Sequence, residues 1–431
     1  MKTLLKDVFY VDGMDGKQLK EIVLSQQHEW NQEEGLVHRD ILDKMRELVD
    51  LPHVIVVTGI KRAGKSTLLK QIKETFYKDQ VVYCINFDDD RLLSFTVDDF
   101  QRLHETFIEL FGKSSVYLLD EVQNVAGWET FVRRMNDAGY KFFIAGSNAS
   151  MLSKELGTRL TGRHVSVEIF PFSFKEFLVY QKVKVPDIIL SEDRAAIKKA
   201  FTEFLQRGGI PEYILHGKAI TVKMLYDNIL YRDIISRYNI TNEKSLKELA
   251  HYLLSNPGTE ISYNKLKEML SLGSVNSIKD YIQYMENAYL FFTIYKYDIS
   301  IKLQVYANKK VYAIDTGMIE TIAFKIPTFT GKVLENAIFV ELKRRGKDVY
   351  FYKDKYECDF LIIEKNTVVG AIQVTTTLAA SKEREYKGLL AAMATYKLLE
   401  GLIITDEEEF TDVVDGKTIK VIPAWKWLLE I

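Results

Sequence analysis

The stretch GIKRAGKST, residues 59–67, has glycines, a lysine and a serine at the spacing of a phosphate-binding loop. The match to G-x-x-x-x-G-K-[ST] rests on Gly59, Gly64, Lys65 and Ser66. Glycines allow the tight turn that points backbone N–H groups at phosphate oxygens, and a helix that follows offers its positive N-terminus. The lysine would reach the β- and γ-phosphates, and the serine hydroxyl would join a Mg²⁺ shell. The predicted nucleotide-binding residues are therefore Gly59, Ile60, Lys61, Arg62, Ala63, Gly64, Lys65, Ser66 and Thr67.

An acidic pair, Asp120 and Glu121, ends the apolar run VYLL. A carboxylate at the end of a strand beside bound phosphates can hold Mg²⁺, directly or through water, so we predict that Asp120 and Ser66 form the metal site. A second carboxylate there can orient or deprotonate the attacking water, so Glu121 and Lys65 are predicted catalytic residues. Together the two motifs predict ATP and Mg²⁺ as ligands.

Two later segments carry further candidates. FFIAGSN ends an apolar run in small polar residues, and Ser147 or Asn148 could contact the γ-phosphate, position water or cap a helix. TRLTGR offers Arg159 and Arg163, and either could act as an arginine finger, in cis or from a neighbouring subunit, or form a surface salt bridge. We take Asn148, Arg159 and Arg163 as catalytic candidates, and the residues alone leave these alternatives open.

The elements that must position these residues alternate between strand and helix patterns. Strand-like runs are HVIVVTG, QVVYCINFD, SSVYLLDE, KFFIAGS and HVSVEIF, with helical patterns between them. This alternation predicts an α/β domain with a parallel sheet. The strand between the two motifs favours the additional-strand, catalytic-glutamate type of P-loop ATPase. Residues 172–240 have mainly helical patterns, residues 241–295 favour a winged helix, and mixed α/β patterns return from residue 330.

Composition limits the classes of protein. The chain has 431 residues, 47% of them hydrophobic, and a net charge of −2, which is typical of a globular protein of several domains and excludes a uniformly basic nucleic-acid binder. Its two cysteines, Cys84 and Cys358, cannot form a disulfide framework or a cysteine zinc site, so a reducing, cytoplasmic setting is expected. The N-terminus does not resemble a signal peptide, and no apolar run is long enough to predict a membrane span.

Several motifs together resemble those of a widespread prokaryotic family. They are GIKRAGKSTLL, INFDDDRL, LLDEVQNVAGWETFVRRM, IAGSNASMLSKELGTRLTGR, EIFPFSFKEFL and RGGIPEYI. The chain is identified, over about residues 35–425, as a member of the AAA-like ATPases whose C-terminal domain is related to restriction endonucleases, and it is similar to archaeal ATPases of the same broader group. The resemblance implies an ATPase core with N-terminal helices (1–172), a helical lid and winged-helix-like region (173–300) and a nuclease-like domain (301–431).

The nuclease-like fold needs an acidic residue on a helix, an aspartate opening one strand, and [Glu/Gln]-x-Lys on the next. Such carboxylates hold divalent metals that activate water, and the lysine assists. Glu335, Asp359 and Gln373 match the first three positions, but Thr375 stands where the lysine belongs. We therefore expect a degenerate nuclease-like scaffold without cleavage. An active nuclease and an ordinary hairpin packed on a helix remain the alternatives.

The partner coupled to ATP hydrolysis is left open by the sequence. In the winged-helix candidate, Asn276, Lys279 and Tyr281 could contact nucleic acid, but Asp280 and Glu286 lie in the same stretch. The leading hypothesis is a Mg²⁺-dependent ATPase whose nucleotide cycle gates the nuclease-like domain, with nucleic acid or a protein as partner and a homo-oligomer as one form. The alternatives are a nucleotide-gated switch or adaptor with little hydrolysis and an ATP-dependent nuclease.

Overall fold

The computed structural model describes residues 14–31, 37–147, 160, 162–324, 329–379 and 381–430. Within these ranges the chain divides into two compact units. The first consists of residues up to 58 together with residues 65–168, and the second consists of residues 59–64 together with residues from 169 onward. No helix among the described residues has both the length and the hydropathy that a membrane span requires.

The first unit is built on a parallel five-stranded sheet in the order β2-β3-β4-β1-β5. Its strands are Val54–Thr58 (β1), Tyr83–Asn86 (β2), Val116–Asp120 (β3), Lys141–Gly146 (β4) and His164–Glu168 (β5). Every residue of β1 and β3 is buried, as expected for central strands of a parallel sheet that is covered on both faces. The predicted parallel α/β sheet is therefore confirmed.

Helices connect these strands. The described α-helices of this unit are Gly16–Trp30 (α1), Ile41–Val49 (α2), Lys65–Phe76 (α3), Phe100–Phe111 (α4) and Trp128–Asp137 (α5). Short 3₁₀ turns lie at Asp90–Leu92, Val97–Asp99 and Val122–Asn124. The ring of Tyr83 stacks on Phe107, with centroids 4.8 Å apart, and the ring of Tyr117 stacks on Phe142 at 4.7 Å. Such pairs contribute about 0.5–1.5 kcal/mol each beyond area burial, so they hold β2 against α4 and β3 beside β4.

The order of the central strands decides where the acidic pair lies. Strand β4 lies between β3 and β1, so that Asp120 is opposite Ala145 and Thr58 is opposite Gly146. The carboxyl ends of β1 and β3 therefore reach the same edge of the sheet, with one strand between them. This is the additional-strand arrangement that the sequence predicts.

The second unit begins with a helical region. Its helices are Phe174–Gln181 (α6), Ser191–Arg207 (α7), Pro211–His216 (α8), Ala219–Asn228 (α9), Glu243–Ser255 (α10), Tyr263–Met269 (α11) and Val275–Asn287 (α12). Between α9 and α10, residues Ile229–Ser236 form a π-helix. π-Helical segments are rare and often lie at functional sites, so the side chains on this one are of particular interest.

An antiparallel three-stranded sheet follows, in the order β6-β8-β7. Its strands are Glu260–Ile261 (β6), Phe291–Tyr295 (β7) and Lys309–Ala313 (β8), with the helix Ile301–Tyr306 (α13) between β7 and β8. The pairing of β7 with β8 crosses residue 300, where the sequence predicts a domain boundary. The three-part division of the chain remains a prediction.

Helix α12 carries the residues that the sequence suggests for nucleic-acid contact. Asn276, Lys279 and Asp280 are exposed, but Tyr281 is buried. The expectation that Tyr281 faces a partner is therefore wrong. The physical reason is the helical period, because Tyr281 lies three residues after the buried Ile278 and belongs to the apolar face of the helix.

The last part of the chain forms a six-stranded sheet in the order β13-β14-β12-β11-β10-β9. Its strands are Asp348–Lys353 (β9), Glu357–Glu364 (β10), Thr367–Val374 (β11), Glu400–Thr405 (β12), Phe410–Val414 (β13) and Lys417–Pro423 (β14). The helices are Thr316–Ile322 (α14), Phe329–Arg344 (α15), Lys382–Thr395 (α16) and Ala424–Leu429 (α17). Strands β9, β10 and β11 are antiparallel, whereas β11, β12 and β14 are parallel. The predicted return to mixed α/β structure is confirmed.

Candidate nucleotide-binding site

The backbone of the predicted phosphate loop has the conformation that its glycines permit. Gly59 has φ 150° and Gly64 has φ 93°, values that side chains rarely allow. At Gly59 a Cβ atom would lie 2.2 Å from the carbonyl oxygen of Ile169, so a larger residue cannot replace this glycine without a backbone shift. Helix α3 begins at Lys65, directly after Gly64, so the positive end of this helix lies at the end of the loop.

Two basic residues inside the loop are paired with acids of the second unit. The Lys61 ammonium lies 2.8 Å from Oδ1 of Asp233, which is buried on the π-helix. The Arg62 guanidinium donates a hydrogen bond to the Glu212 carboxylate at the start of α8. In this structure both cations are therefore neutralised by protein carboxylates. A phosphate that recruits either cation would have to compete with these acids.

The predicted metal residues are in contact. The Ser66 hydroxyl donates a hydrogen bond of 2.5 Å to Oδ2 of Asp120, which is almost fully buried. The other oxygen, Oδ1, has no hydrogen-bond partner among the described residues. Burial, together with the neighbouring charge of Glu121, raises the pKa of Asp120 to about 7. An unpartnered buried oxygen beside a serine hydroxyl fits the oxygen-rich coordination that Mg²⁺ prefers.

Glu121 is held by several donors. Its Oε2 accepts hydrogen bonds from the Ser147 hydroxyl at 3.0 Å, from the Ser147 N–H at 3.3 Å and from the side-chain amide of Gln123. Its backbone is left-handed, with φ 49° and ψ 36°. Strained backbone of this kind persists where the surroundings determine it, and it is frequent at functional sites. The Lys65 ammonium lies 3.8 Å from the other carboxylate oxygen, Oε1.

Sequence reasoning found part of this arrangement. It considered Ser147 for a phosphate or water contact, and in the structure the Ser147 side chain bonds Glu121. It assigned no role to Gln123. The available signal was its position, because Gln123 lies two residues after the acidic pair, in the short 3₁₀ turn that follows β3.

A cavity of about 480 Å³ opens beside Ser66 and Asp120 in the first unit. Its volume is within the usual range of small-ligand sites. The wall is rich in acids and amides, and its lining residues are Gln26, Glu29, Trp30, Ser66, Lys70, Asn86, Asp88, Asp89, Asp90 and Asp120. The negative carboxylates would repel the negative phosphates of a nucleotide. A nucleotide in this cavity therefore requires a bound cation that offsets this repulsion.

Of the three remaining catalytic candidates, the structure describes only Arg163. Arg163 lies just before β5 and pairs with Asp137, and both side chains are partly exposed. The salt-bridge alternative for Arg163 is thus present in this structure. Arg159 and Asn148 lie outside the described residues. The catalytic roles of all three residues remain predictions.

The C-terminal residues are brought together in part. The side chains of Asp359 and Glu335 share one cation, the ammonium of Lys310 on β8. It lies 3.1 Å from the Asp359 carboxylate and 3.3 Å from the Glu335 carboxylate. The Asp359 N–H donates to the side-chain oxygen of Gln373 at 3.2 Å. Thr375 is turned away from this group, and its hydroxyl donates to the carbonyl of Thr377. Sequence reasoning missed Lys310, because nothing local connects β8 to β10.

The side-chain nitrogen of Gln373 is hydrogen-bonded as well. Its nitrogen donates a hydrogen bond of 2.7 Å to Glu385 on α16, and Glu385 is paired in turn with Arg384. Gln373 therefore bridges the start of β10 to a helix, with its oxygen and its nitrogen both occupied.

Three stretches of the chain match known protein families. Residues 52–178 match the AAA domain family, residues 198–327 match a domain of unknown function (DUF8612), and residues 330–427 match a domain of unknown function (DUF4143). The chain is 35% identical to the uncharacterized protein MJ1544 of Methanocaldococcus jannaschii over 96% of each chain. It is 30% identical to an uncharacterized protein of Haemophilus influenzae over 90% of this chain and 97% of that one.

Among solved structures, the RuvB Holliday junction branch migration motor of Thermotoga maritima aligns at 15% identity and a TM-score of 0.28, covering 64% of this chain and 87% of that one. The ORC2 protein of Aeropyrum pernix in its ADP form aligns at 11% identity and a TM-score of 0.31, covering 67% of this chain and 90% of that one.

Proposed function

The chain belongs to a family of AAA-domain P-loop proteins with archaeal and bacterial members, and we propose that it binds ATP with Mg²⁺ and hydrolyses it. The observation that carries the proposal is the contact between Ser66 and Asp120, which leaves one buried Asp120 oxygen without a hydrogen-bond partner among the described residues. A serine hydroxyl and a carboxylate in this arrangement would suit Mg²⁺, whose charge would offset that of the phosphates.

Each residue of the site has a proposed role. The loop N–H groups and the start of α3 bind the phosphates, and Lys65 neutralises charge that develops on the β- and γ-phosphates. Ser66 and Asp120 would hold Mg²⁺, which stabilises charge on the phosphate oxygens when it is bound. Glu121 orients the attacking water and accepts its proton. Arg159, Arg163 and Asn148 are the candidates for contact with the γ-phosphate.

The position of Glu121 supports its proposed role. General bases contribute most when they are held in one orientation, and three hydrogen bonds restrain this carboxylate. Because all three end on Oε2, the other oxygen, Oε1, is the one that would face a water. The 3.8 Å separation from the Lys65 ammonium also keeps Oε1 close to the residue that would hold the γ-phosphate.

A pair of variants tests the proposal. Lys65→Ala should weaken binding of a fluorescent ATP analogue at least tenfold, because it removes the phosphate-binding cation. Glu121→Gln should leave that binding within about threefold and lower phosphate release about 10²–10⁴-fold, the usual contribution of general-base catalysis. Glu109→Gln, on the exposed side of α4, is the matched control and should behave as the wild-type protein. Unchanged phosphate release in both Lys65→Ala and Glu121→Gln would refute the proposal.

We further propose that the nucleotide cycle gates the C-terminal part, a degenerate restriction-endonuclease-like domain, on a partner. The order of its core elements, helix α15, strands β9 to β11, helix α16 and strand β12, supports this assignment. The element order α10, β6, α11, α12, β7, β8, with the short helix α13 between β7 and β8, supports a winged-helix-like region. Phosphate release should be measured with and without single-stranded DNA, duplex DNA and RNA, with cleavage products checked in the same samples. Stimulation without cleavage supports gating on nucleic acid.

One observation favours a second candidate, a nucleotide-gated switch or adaptor that binds a protein and hydrolyses ATP slowly. The ion pairs from Lys61 to Asp233 and from Arg62 to Glu212 connect the phosphate loop to the helical region. Nucleotide binding at the loop would therefore change these ion pairs and so affect the helical region. Turnover below about one per minute despite tight ATP binding, against about 1–10³ per second for typical enzymes, would favour the switch.

A further inference from the structure

A fully buried lysine occupies the centre of the carboxylate cluster in the second unit. The side chain of Lys310 is 2% exposed. Its ammonium lies 2.8 Å from Glu357, 3.1 Å from Asp359 and 3.3 Å from Glu335, measured to one carboxylate oxygen of each. Helix α15 supplies one of these acids and strand β10 supplies two. Three carboxylates thus converge on one cation from a third element, β8.

The oxygens of the cluster have further partners. The Tyr312 hydroxyl donates to Oε1 of Glu335 at 2.7 Å, and the N–H of Val374 donates to Oδ2 of Asp359 at 3.0 Å. The second oxygen of Glu357 lies 3.2 Å from the Lys353 ammonium. The carboxylates are therefore fixed in place by hydrogen bonds and ion pairs.

The cluster is also covered at Glu335. A Cβ atom at Gly258, in the turn between α10 and β6, would lie 2.8 Å from each oxygen of the Glu335 carboxylate. The backbone of this turn therefore lies close to the acid, and its φ of 68° favours glycine. The side chains of Glu335 and Asp359 are 13% and 10% exposed. A phosphodiester would have to displace this turn to reach the carboxylate.

A divalent ion does not fit this arrangement. Mg²⁺ and Ca²⁺ lie about 2.0–2.6 Å from carboxylate oxygens, so an ion between Glu335 and Asp359 would occupy the space of the Lys310 ammonium. Gln373 stands at the next ligand position of the predicted nuclease pattern, but both ends of its amide are already bonded. In the part of the chain that the structure describes, no group of three His, Cys, Asp or Glu residues is arranged to hold a metal.

The ammonium is also chemically suited to stay in this position. Burial alone would lower the pKa of Lys310, but the charges of Glu335, Asp359 and Glu357 raise it well above its ordinary value. The lysine is therefore charged at neutral pH. It contributes one positive charge to three acids, and the Lys353 ammonium at the edge of the cluster adds a second.

We propose that Lys310 takes the place of the divalent ion in this nuclease-like cluster. The cluster is then a metal-independent ion network that fastens β8 to α15 and β10, and it does not cleave phosphodiesters. This inference does not depend on ATP hydrolysis in the first unit, so either proposal can fail without the other.

The experiment uses the full chain and Mn²⁺ without nucleotide. Wild-type protein and Asp359→Asn are compared by Mn²⁺ titration, and both should show the same Mn²⁺ binding because Lys310 excludes the ion. Binding that is present in the wild type and lost in Asp359→Asn would overturn the proposal. Cleavage of DNA or RNA that is lost in Asp359→Asn would overturn it as well. This comparison does not require the removal of Lys310.

A second measurement tests the role of the lysine directly. Lys310→Met should lower Tm by about 5–10 °C, because the carboxylates lose their cation. Mn²⁺ should then raise Tm in Lys310→Met, with no such effect in Lys310→Met/Asp359→Asn. The neighbouring variant Lys309→Met, which removes a cation near Tyr295, is the matched control and should not gain Mn²⁺ sensitivity. A Lys310→Met protein with unchanged Tm would overturn the proposal.

Discussion

Replacement of Ser147 by alanine removes one of the restraints on Glu121. The lost group is the hydroxyl that donates to Oε2 of Glu121 at 3.0 Å. The N–H of the same residue at 3.3 Å and the side-chain amide of Gln123 remain. The variant therefore leaves the carboxylate in the site with fewer bonds to hold its orientation, and we expect Ser147 to act as a positioning residue.

The size of the effect follows from these contacts. A hydrogen bond to a charged acceptor contributes about 1.5–3 kcal/mol when the whole bond is lost. Because two donors to Oε2 remain, we expect about 1–2 kcal/mol of this to appear in the activation barrier, which corresponds to a fall in kcat of about 5–30-fold. The affinity for ATP should change by less than about twofold, because Lys65 and the rest of the loop are untouched.

The assay is steady-state phosphate release at saturating MgATP, together with a titration of a fluorescent ATP analogue. The conservative variant Ser147→Thr keeps a hydroxyl on the same backbone and should recover kcat to within about threefold of the wild type. Restoration by threonine would distinguish a positioning hydroxyl from a general loss of packing.

Two results would refute this reasoning. If Ser147→Ala kept kcat within twofold of the wild type, the hydroxyl would not be needed to position Glu121. If the variant lost ATP affinity while kcat stayed the same, Ser147 would act in binding and not through Glu121.

Two further predictions concern the second unit. Asp233→Asn removes the charged partner of Lys61, so the freed ammonium should tighten ATP binding severalfold; weaker binding in a nucleotide titration would contradict this. Burial raises the pKa of Asp315 to about 6, so the folded state binds this proton more tightly than the unfolded state does. The free energy of unfolding should therefore contain a contribution that falls by about 3 kcal/mol as pH rises from about 4 to above 6. Urea unfolding of wild type and Asp315→Asn across this range should give a difference that changes with pH, and a constant difference would show that Asp315 does not titrate there.

Local patterns were enough to predict the phosphate loop and the acidic pair. Gly59, Gly64 and Lys65 lie within one short stretch, and the conformation of such a stretch is set by its own glycines and by the helix that it begins. Asp120 could be placed on the sheet because the end of a buried apolar run predicts the end of a strand. These features depend on residues that are close in sequence.

The residues that hold the acids could not be predicted in the same way. Ser147 reaches Glu121 from another strand, and Lys310 reaches Asp359 from another sheet. Such contacts depend on how the elements pack, and one sequence carries no pattern for them. The error at Tyr281 was of a different kind, because the helical spacing from Ile278 could have indicated a buried face.

The order of the strands in the first unit also determines when strand β1 can pair during synthesis of the chain. Strand β1 is central in the sheet, but both of its neighbours, β4 and β5, lie beyond residue 140. At roughly 5–20 residues per second, a ribosome needs on the order of 5–15 s to synthesise the intervening chain. During that time the apolar segment Val54–Thr58 has no strand to pair with. Until β4 and β5 have been made, the edges of this segment are therefore open to pairing with other chains.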